Sequence, residues 1–243
     1  MNYLSAGKVR NIWVSILYHV PEGASVYEIC KQLYDLSAQS TFKYLKDIDE
    51  HILFTEANVL IPVTSLNIAL KDVFYQIHRL WESQPCNILY TEPDVCFIRP
   101  TEIFGRFNEF RLFNIAGCVD KEFNPWLNGP PLLNAAVKYF PHTMKCWNTG
   151  FLGMDSYDPK HWGSDQYIYN KMFYSQENAR SIELHPELNY GRPVVGEEIT
   201  CKNLSIDEIH VVHFAGTRGY AQALEKMHFL LETGKLPPLE RNR

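Results

Sequence analysis

The chain has no apolar stretch long enough to span a bilayer. The run Ile12 to Val20 is short and carries Ser15 and His19, and Met1 to Arg10 has two basic residues with no apolar core behind them of the kind a secretion signal carries. These absences predict a protein made and kept in a cytosol. Basic residues are not in excess: 23 Lys and Arg stand against 28 Asp and Glu, a net charge of −5. A nucleic-acid partner is therefore not expected, because phosphate backbones call for a basic face. Cysteine is sparse. None of the six (Cys30, Cys86, Cys96, Cys118, Cys146, Cys201) forms a C-x-x-C pair, which argues against a structural zinc site and predicts free, buried thiols. Repeats, low-complexity tracts and internal linkers are missing as well, so the 243 residues are read as one domain.

What is present is an ordinary globular composition, 46% apolar and 21% charged, with enough chain for a substantial α/β core. Ile12 to Tyr18 is apolar on both faces, as a central parallel strand is. Ser25 and Glu28 have capping-box spacing, with Val26, Ile29 and Leu33 on one helix face. Val59 to Val63 reads as a short strand, Leu66 to Trp81 as a helix, Asn87 to Thr91 as a strand and Val95 to Ile98 as extended chain. Glu109 to Ile115 is β-rich and Asn124 to Pro131 is a loop. Trp147 to Met154 reads as a glycine-interrupted strand, Ser164 to Ser175 as a helix, His210 to Phe214 as a strand, and Gly219 to Thr233 as a helix stopped by Gly234. Strands alternate with helices in the first half, which predicts a mostly parallel sheet.

Four segments could carry chemistry. In the first, an apolar strand ends in Glu92-Pro93-Asp94. Carboxylates beyond the carboxyl end of a strand can hold Mg²⁺ or Mn²⁺, and the ion can bridge two phosphates. Read alone, the same residues suit an ordinary turn. In the second, Asn148-Thr149-Gly150 would offer hydrogen bonds where a glycine lets a ligand come close. In the third, Asp165 and Gln166 open a helix, where the dipole favours an acidic side chain in any case. In the fourth, His213 near a strand end could be a third metal ligand, with Gly216 and Arg218 approaching phosphate. His210 is the rival imidazole, and strand alternation turns it to the opposite face.

In this order the segments resemble the GT-A glycosyltransferases, especially the family of glycogenin and the bacterial galactosyltransferases (family eight). In that family a helical Lys precedes a strand ending in D-x-D. An Asn-(Ser/Thr)-Gly strand, an Asp-Gln helix start and a His-x-x-Gly segment follow. The matching residues here are Lys71, then Glu92 and Asp94, then Asn148-Thr149-Gly150, Asp165-Gln166, and His213 with Gly216. Glu92 departs from the first Asp, and the family's Lys-Pro-Trp is absent, leaving Arg218 as the stand-in for the phosphate-binding Lys.

The resemblance implies a GT-A fold, with a nucleotide-binding half over about residues 1–100 and a sugar and acceptor half over about 101–236. It implies transfer of a sugar from a nucleotide-sugar donor, a UDP-sugar first, to a glycan or other hydroxyl acceptor, with Mn²⁺ or Mg²⁺ held by Glu92, Asp94 and His213. The nucleotide would lie near Ile12 to Tyr18, contacted by Lys71, Gly216 and Arg218. Asn148, Asp165 and Gln166 would orient the sugar, Asp165 serving as base if the reaction inverts; the family-eight likeness implies retention. Trp126, Tyr139 and Trp162 are aromatic candidates for stacking on an acceptor sugar. A chain of this kind with no membrane anchor fits a bacterial cytosol, or a virus or phage building glycans in its host. Three rivals stand beside this reading, one of them a plain α/β domain whose motif matches are accidental. A nucleotide-sugar-forming nucleotidyltransferase would want a basic, glycine-rich loop after the first strand, which Val20-Pro-Glu-Gly23 does not supply. A non-catalytic sugar-binding protein on the same fold would not need the metal ligands.

Overall fold

The computed structural model of the chain describes residues 9–17, 24–55, 64–67, 77, 80, 83, 86–108, 115–121, 132–140, 181–183, 190–191, 204–214 and 219–238. The apolar run near the N-terminus forms β1 (Arg10–Leu17), buried from Asn11 onward. Both of its faces are covered, which is why it reads as a continuous apolar run rather than an alternating one. Helix α1 (Ala24–Tyr44) follows; Ile29 and Leu33 pack into one core cluster, whereas Val26, expected on the same face, packs against the other. It begins one residue before Ser25, which therefore lies in the first turn and not at the cap.

Next come β2 (Glu50–Thr55) and β3 (Thr64–Asn67). The second of these corrects the sequence reading: Thr64 to Asn67 is a strand paired in parallel with β2, so no helix begins at Leu66. Residues 77, 80 and 83 are helical, with Ile77 buried, in keeping with the later part of that expected helix. The expected strand at Val59 to Val63 lies outside the described residues. Then β4 (Cys86–Thr91), β5 (Val95–Phe97) and the short α2 (Ile103–Asn108) follow. After them come β6 (Ile115–Lys121), β7 (Leu132–Phe140), β8 (Ser181–Glu183), β9 (Tyr190–Gly191), β10 (Val211–His213) and α3 (Tyr220–Thr233).

Seven strands make one sheet in the order β3-β2-β1-β4-β7-β6-β8. Pairings β3/β2, β2/β1, β1/β4 and β6/β8 are parallel, and only the two made by β7 are antiparallel, so the sheet is mostly parallel as expected. A second sheet has the order β5-β10-β9. Helix α1 packs one side (Cys30, Tyr34, Ala38) against Trp13, Leu17, Leu53 and Leu89 of the large sheet. Alternation along the small sheet divides its side chains between two clusters. Val95, Phe97 and Val211 join that first core, whereas Cys96, Val212 and Phe214 pack with Leu33 of α1 and with Ala223, Met227 and Leu230 of α3. Each large ring buried in this way contributes roughly 2–3 kcal/mol through area removed from water.

Helix α3 ends as the sequence predicts. Gly234 adopts φ 66°, and its N–H donates to the Leu230 carbonyl at 2.8 Å, closing the last turn. Among the described residues no helix is long and apolar enough to cross a membrane. Tyr139, offered above as a sugar-stacking aromatic, is fully buried in the core between β7 and α2 and is unavailable for that role. Trp126 and Trp162 lie outside the described residues.

Candidate metal centre

Strand β1 pairs with β2 on one side and β4 on the other, and β3 continues away from β2. Chain order therefore reverses between β1 and β4. In open α/β sheets this is where a crevice opens beyond the carboxyl ends of the strands and ligands bind. Strand β4, buried throughout as Cys-Asn-Ile-Leu-Tyr-Thr, delivers its carboxyl end at Thr91 to that place. Glu92, Pro93 and Asp94 then turn the chain.

Backbone hydrogen bonds hold the turn from both ends. The Val95 N–H donates to the Glu92 carbonyl at 3.3 Å, and the Phe214 N–H donates to the Asp94 carbonyl at 3.0 Å. The second bond continues the antiparallel pairing of β5 with β10, in which His213 faces Val95. A histidine more than a hundred residues downstream is thus brought beside the acidic turn by sheet pairing. One ligand atom each from Glu92, Asp94 and His213 falls within 4.8 Å of the others, and His213 Nε2 stands 3.6 Å from Asp94 Oδ2.

Asp94 and His213 are buried, at 7% and 5% exposure, and Glu92 is half-buried. Asp94 Oδ1 is buried without a hydrogen-bond partner among the described residues. A carboxylate oxygen in that position carries an uncompensated desolvation cost, which a bound cation would remove. The donor set of two carboxylates and one imidazole fits a divalent cation that accepts oxygen and nitrogen, as Mn²⁺ does.

The rival imidazole is elsewhere. His210 Nδ1 lies 3.1 Å from the Pro100 carbonyl and 3.5 Å from Thr101 Oγ1, so it braces the segment between β5 and α2. Of the residues singled out in sequence, the structure brings together Glu92, Asp94 and His213. Lys71, Asn148, Thr149, Gly150, Asp165, Gln166, Gly216 and Arg218 lie outside the described residues.

Sequence reasoning missed what stands behind the turn. Trp13 Nε1 donates to Thr91 Oγ1 at 2.9 Å, both groups fully buried. The Trp13 ring stacks on His51 at 3.8 Å between centroids and 12° between planes. His51 Nε2 is 2.7 Å from Ser15 Oγ, and burial pushes the His51 pKa down to about 3, so the ring is neutral at ordinary pH. Nothing in the pattern of an apolar strand announces that its tryptophan carries a hydrogen bond to the next strand.

No protein-family model and no curated protein sequence matches the chain. Among solved structures it is similar to a glycosyltransferase involved in the glycosylation of the major capsid of PBCV-1. The two share 13% sequence identity and a TM-score of 0.54, over 90% of this chain and 99% of that one. At that identity the likeness is one of fold. The fold is GT-A-like. The mostly parallel sheet and the reversal between β1 and β4 are consistent with that fold.

Proposed function

We propose that the chain is a metal-dependent glycosyltransferase, moving a sugar from a nucleoside-diphosphate sugar, a UDP-sugar first, to a hydroxyl on a glycan or similar acceptor. The observation that carries this reading is the convergence of Glu92, Asp94 and His213 at the carboxyl end of β4, at the reversal point of a GT-A sheet. In the transfer, the bond from the anomeric carbon to the diphosphate oxygen breaks and a bond to the acceptor oxygen forms. The acceptor proton leaves to a base, and negative charge collects on the diphosphate. Held by these three residues, a divalent ion supplies positive charge where that charge develops. Such an ion would also offset the two carboxylates of the site, which otherwise repel a diphosphate.

The three side chains divide the work by their surroundings. Asp94 and His213 are fixed by the β5/β10 pairing and the Phe214-to-Asp94 hydrogen bond, and they form the rigid part of the site. Glu92, half-buried and one methylene longer than the family's Asp, is the adaptable ligand. The mixed oxygen and nitrogen set favours Mn²⁺ over Mg²⁺, which demands oxygen and keeps its waters. The remaining assignments rest on the order of motifs in the sequence. Lys71, Gly216 and Arg218 contact the diphosphate, Asn148-Thr149-Gly150 and Gln166 orient the sugar, and Asp165 faces the reacting carbon. The family-eight likeness favours retention of the anomeric configuration.

The test is a panel of UDP-, GDP- and other nucleotide sugars incubated with the protein, with and without Mn²⁺, following release of the free nucleoside diphosphate. Turnover of one donor class that needs Mn²⁺ and disappears in Asp94→Ala supports the reading. Metal-independent release, or release unchanged in Asp94→Ala, rules it out. Turnover that forms a new nucleotide sugar from a sugar phosphate would point to a nucleotidyltransferase instead.

A further inference from the structure

We infer that Trp13 and Thr91 are positioning residues for the metal site: their buried hydrogen bond fixes the carboxyl end of β4 so that Glu92 and Asp94 meet His213. The inference rests on the metal reading proposed above. Besides the sheet pairing of Thr91 with Ser15 and Val137, the hydrogen bonds that hold residues 91–94 include Trp13 Nε1 to Thr91 Oγ1, Val95 N to the Glu92 carbonyl, and Phe214 N to the Asp94 carbonyl. The last two are backbone bonds on the far side of the turn. The first is made by side chains, on the residue immediately before Glu92.

The indole cannot easily swing away from Thr91. One face of its ring stacks on His51, and the ring also meets Phe42 edge-on at 5.3 Å and 84°. His51 is held in turn by Ser15 Oγ, and Ser15 is the register partner of Thr91 across β1 and β4. The support for the acidic turn is therefore built from β1, β2 and α1 together. A valine at position 91 would fill the same volume and suit a buried strand at least as well. Of the two, only threonine accepts the indole N–H, so the hydrogen bond, and not packing, favours it here.

Ligand side chains must be held to within about half an ångström for a metal to bind well, and groups that orient them are worth about 10- to 100-fold in affinity. Trp13 acts one residue before the first ligand, so the lower end of that range applies.

The test measures binding of Mn²⁺ alone, by electron paramagnetic resonance of the free ion, on folded protein with the thermal midpoint recorded alongside. Thr91→Val and Trp13→Phe should each weaken Mn²⁺ about tenfold, with the double variant no weaker than either single one, because both remove the same bond. Thr91→Ser, which keeps the hydroxyl, should bind as wild type does. Where Thr91→Val does not fold, Trp13→Phe carries the test, since it keeps the ring on His51. A folded Thr91→Val or Trp13→Phe with wild-type Mn²⁺ affinity and only a lower thermal midpoint would show a merely structural bond and overturn the inference. Wild-type protein that does not bind Mn²⁺ at all would overturn the metal reading and this inference with it.

Discussion

Acidification should destabilise the fold through His51. His51 is 7% exposed, stacked on Trp13, and its Nδ1 is buried without a hydrogen-bond partner among the described residues. Burial lowers its pKa from 6.5 to about 3. Below pH 6.5 the unfolded chain takes up a proton that the folded chain refuses. The contribution of a neutral His51 is thus complete above pH 6.5 and is lost as pH falls towards about 3. The slope approaches about 1.4 kcal/mol per pH unit, so two units below 6.5, at pH 4.5, the loss is about 3 kcal/mol. A protonated ring over Trp13 would regain about 1–2 kcal/mol by cation–π attraction. Even so, the loss at pH 4.5 stays at about 2 kcal/mol or more. The assay is urea unfolding, followed by tryptophan fluorescence, at half-unit steps between pH 7.5 and pH 4.5. Wild type is compared with His51→Gln, which stays neutral and can still bond Ser15. Wild type should lose about 2–3 kcal/mol more than the variant across that window. Parallel curves for the two proteins would refute the assignment of a buried, neutral His51.

Asp94→Asn keeps the shape of the side chain and removes its charge. Because the wild-type carboxylate has a buried oxygen without a partner, the metal-free variant should be no less stable than wild type in thermal melts, while Mn²⁺-dependent nucleotide binding falls below detection. Gly234→Ala should cost about 1 kcal/mol in urea unfolding, and the cost is purely conformational: φ is 66° and nothing lies within 4 Å of an added Cβ. Cys86 and Cys96 have thiol pKa values pushed up by burial to about 11 and 12. At pH 8 both should therefore resist a thiol reagent in the native protein and react once it is unfolded, as a timed mass-spectrometric labelling would show.

How much of this was legible beforehand depends on the element. Strand β1 and strand β4 announced themselves as apolar runs, because a strand buried on both faces has no polar side to show. The last helix was legible from its glycines: Gly219 stands at the N-cap and Gly234 takes the left-handed conformation that ends it. His213 was separable from His210 by strand alternation alone, and the two do face different surroundings. Strand β2 was not legible, since Glu50 and His51 open it with polar residues whose burial or pairing is decided by neighbours on other strands. Strand β3 was hidden because Leu66 suits the start of a helical repeat as well as a strand. Strand β7 was hidden by Asn134, Ala135 and Ala136, which favour other states alone; the strand is set by pairing on either side of them, with β6 at Leu132 and Leu133 and with β4 from Val137. The metal cluster was legible as a set of types and an order. Its geometry was not, because the 118 residues between Asp94 and His213 are bridged by the β5/β10 pairing, which no local pattern encodes.

The central claim is that Glu92, Asp94 and His213 bind a divalent metal that serves a nucleotide. The most direct measurement is calorimetric titration of wild type and Asp94→Ala with UDP and GDP, each with and without Mn²⁺. The account predicts binding of one nucleotide to wild type only when Mn²⁺ is present, and no binding to Asp94→Ala under either condition. Equal binding with and without the metal, equal binding by Asp94→Ala, or no binding of any nucleotide would contradict it.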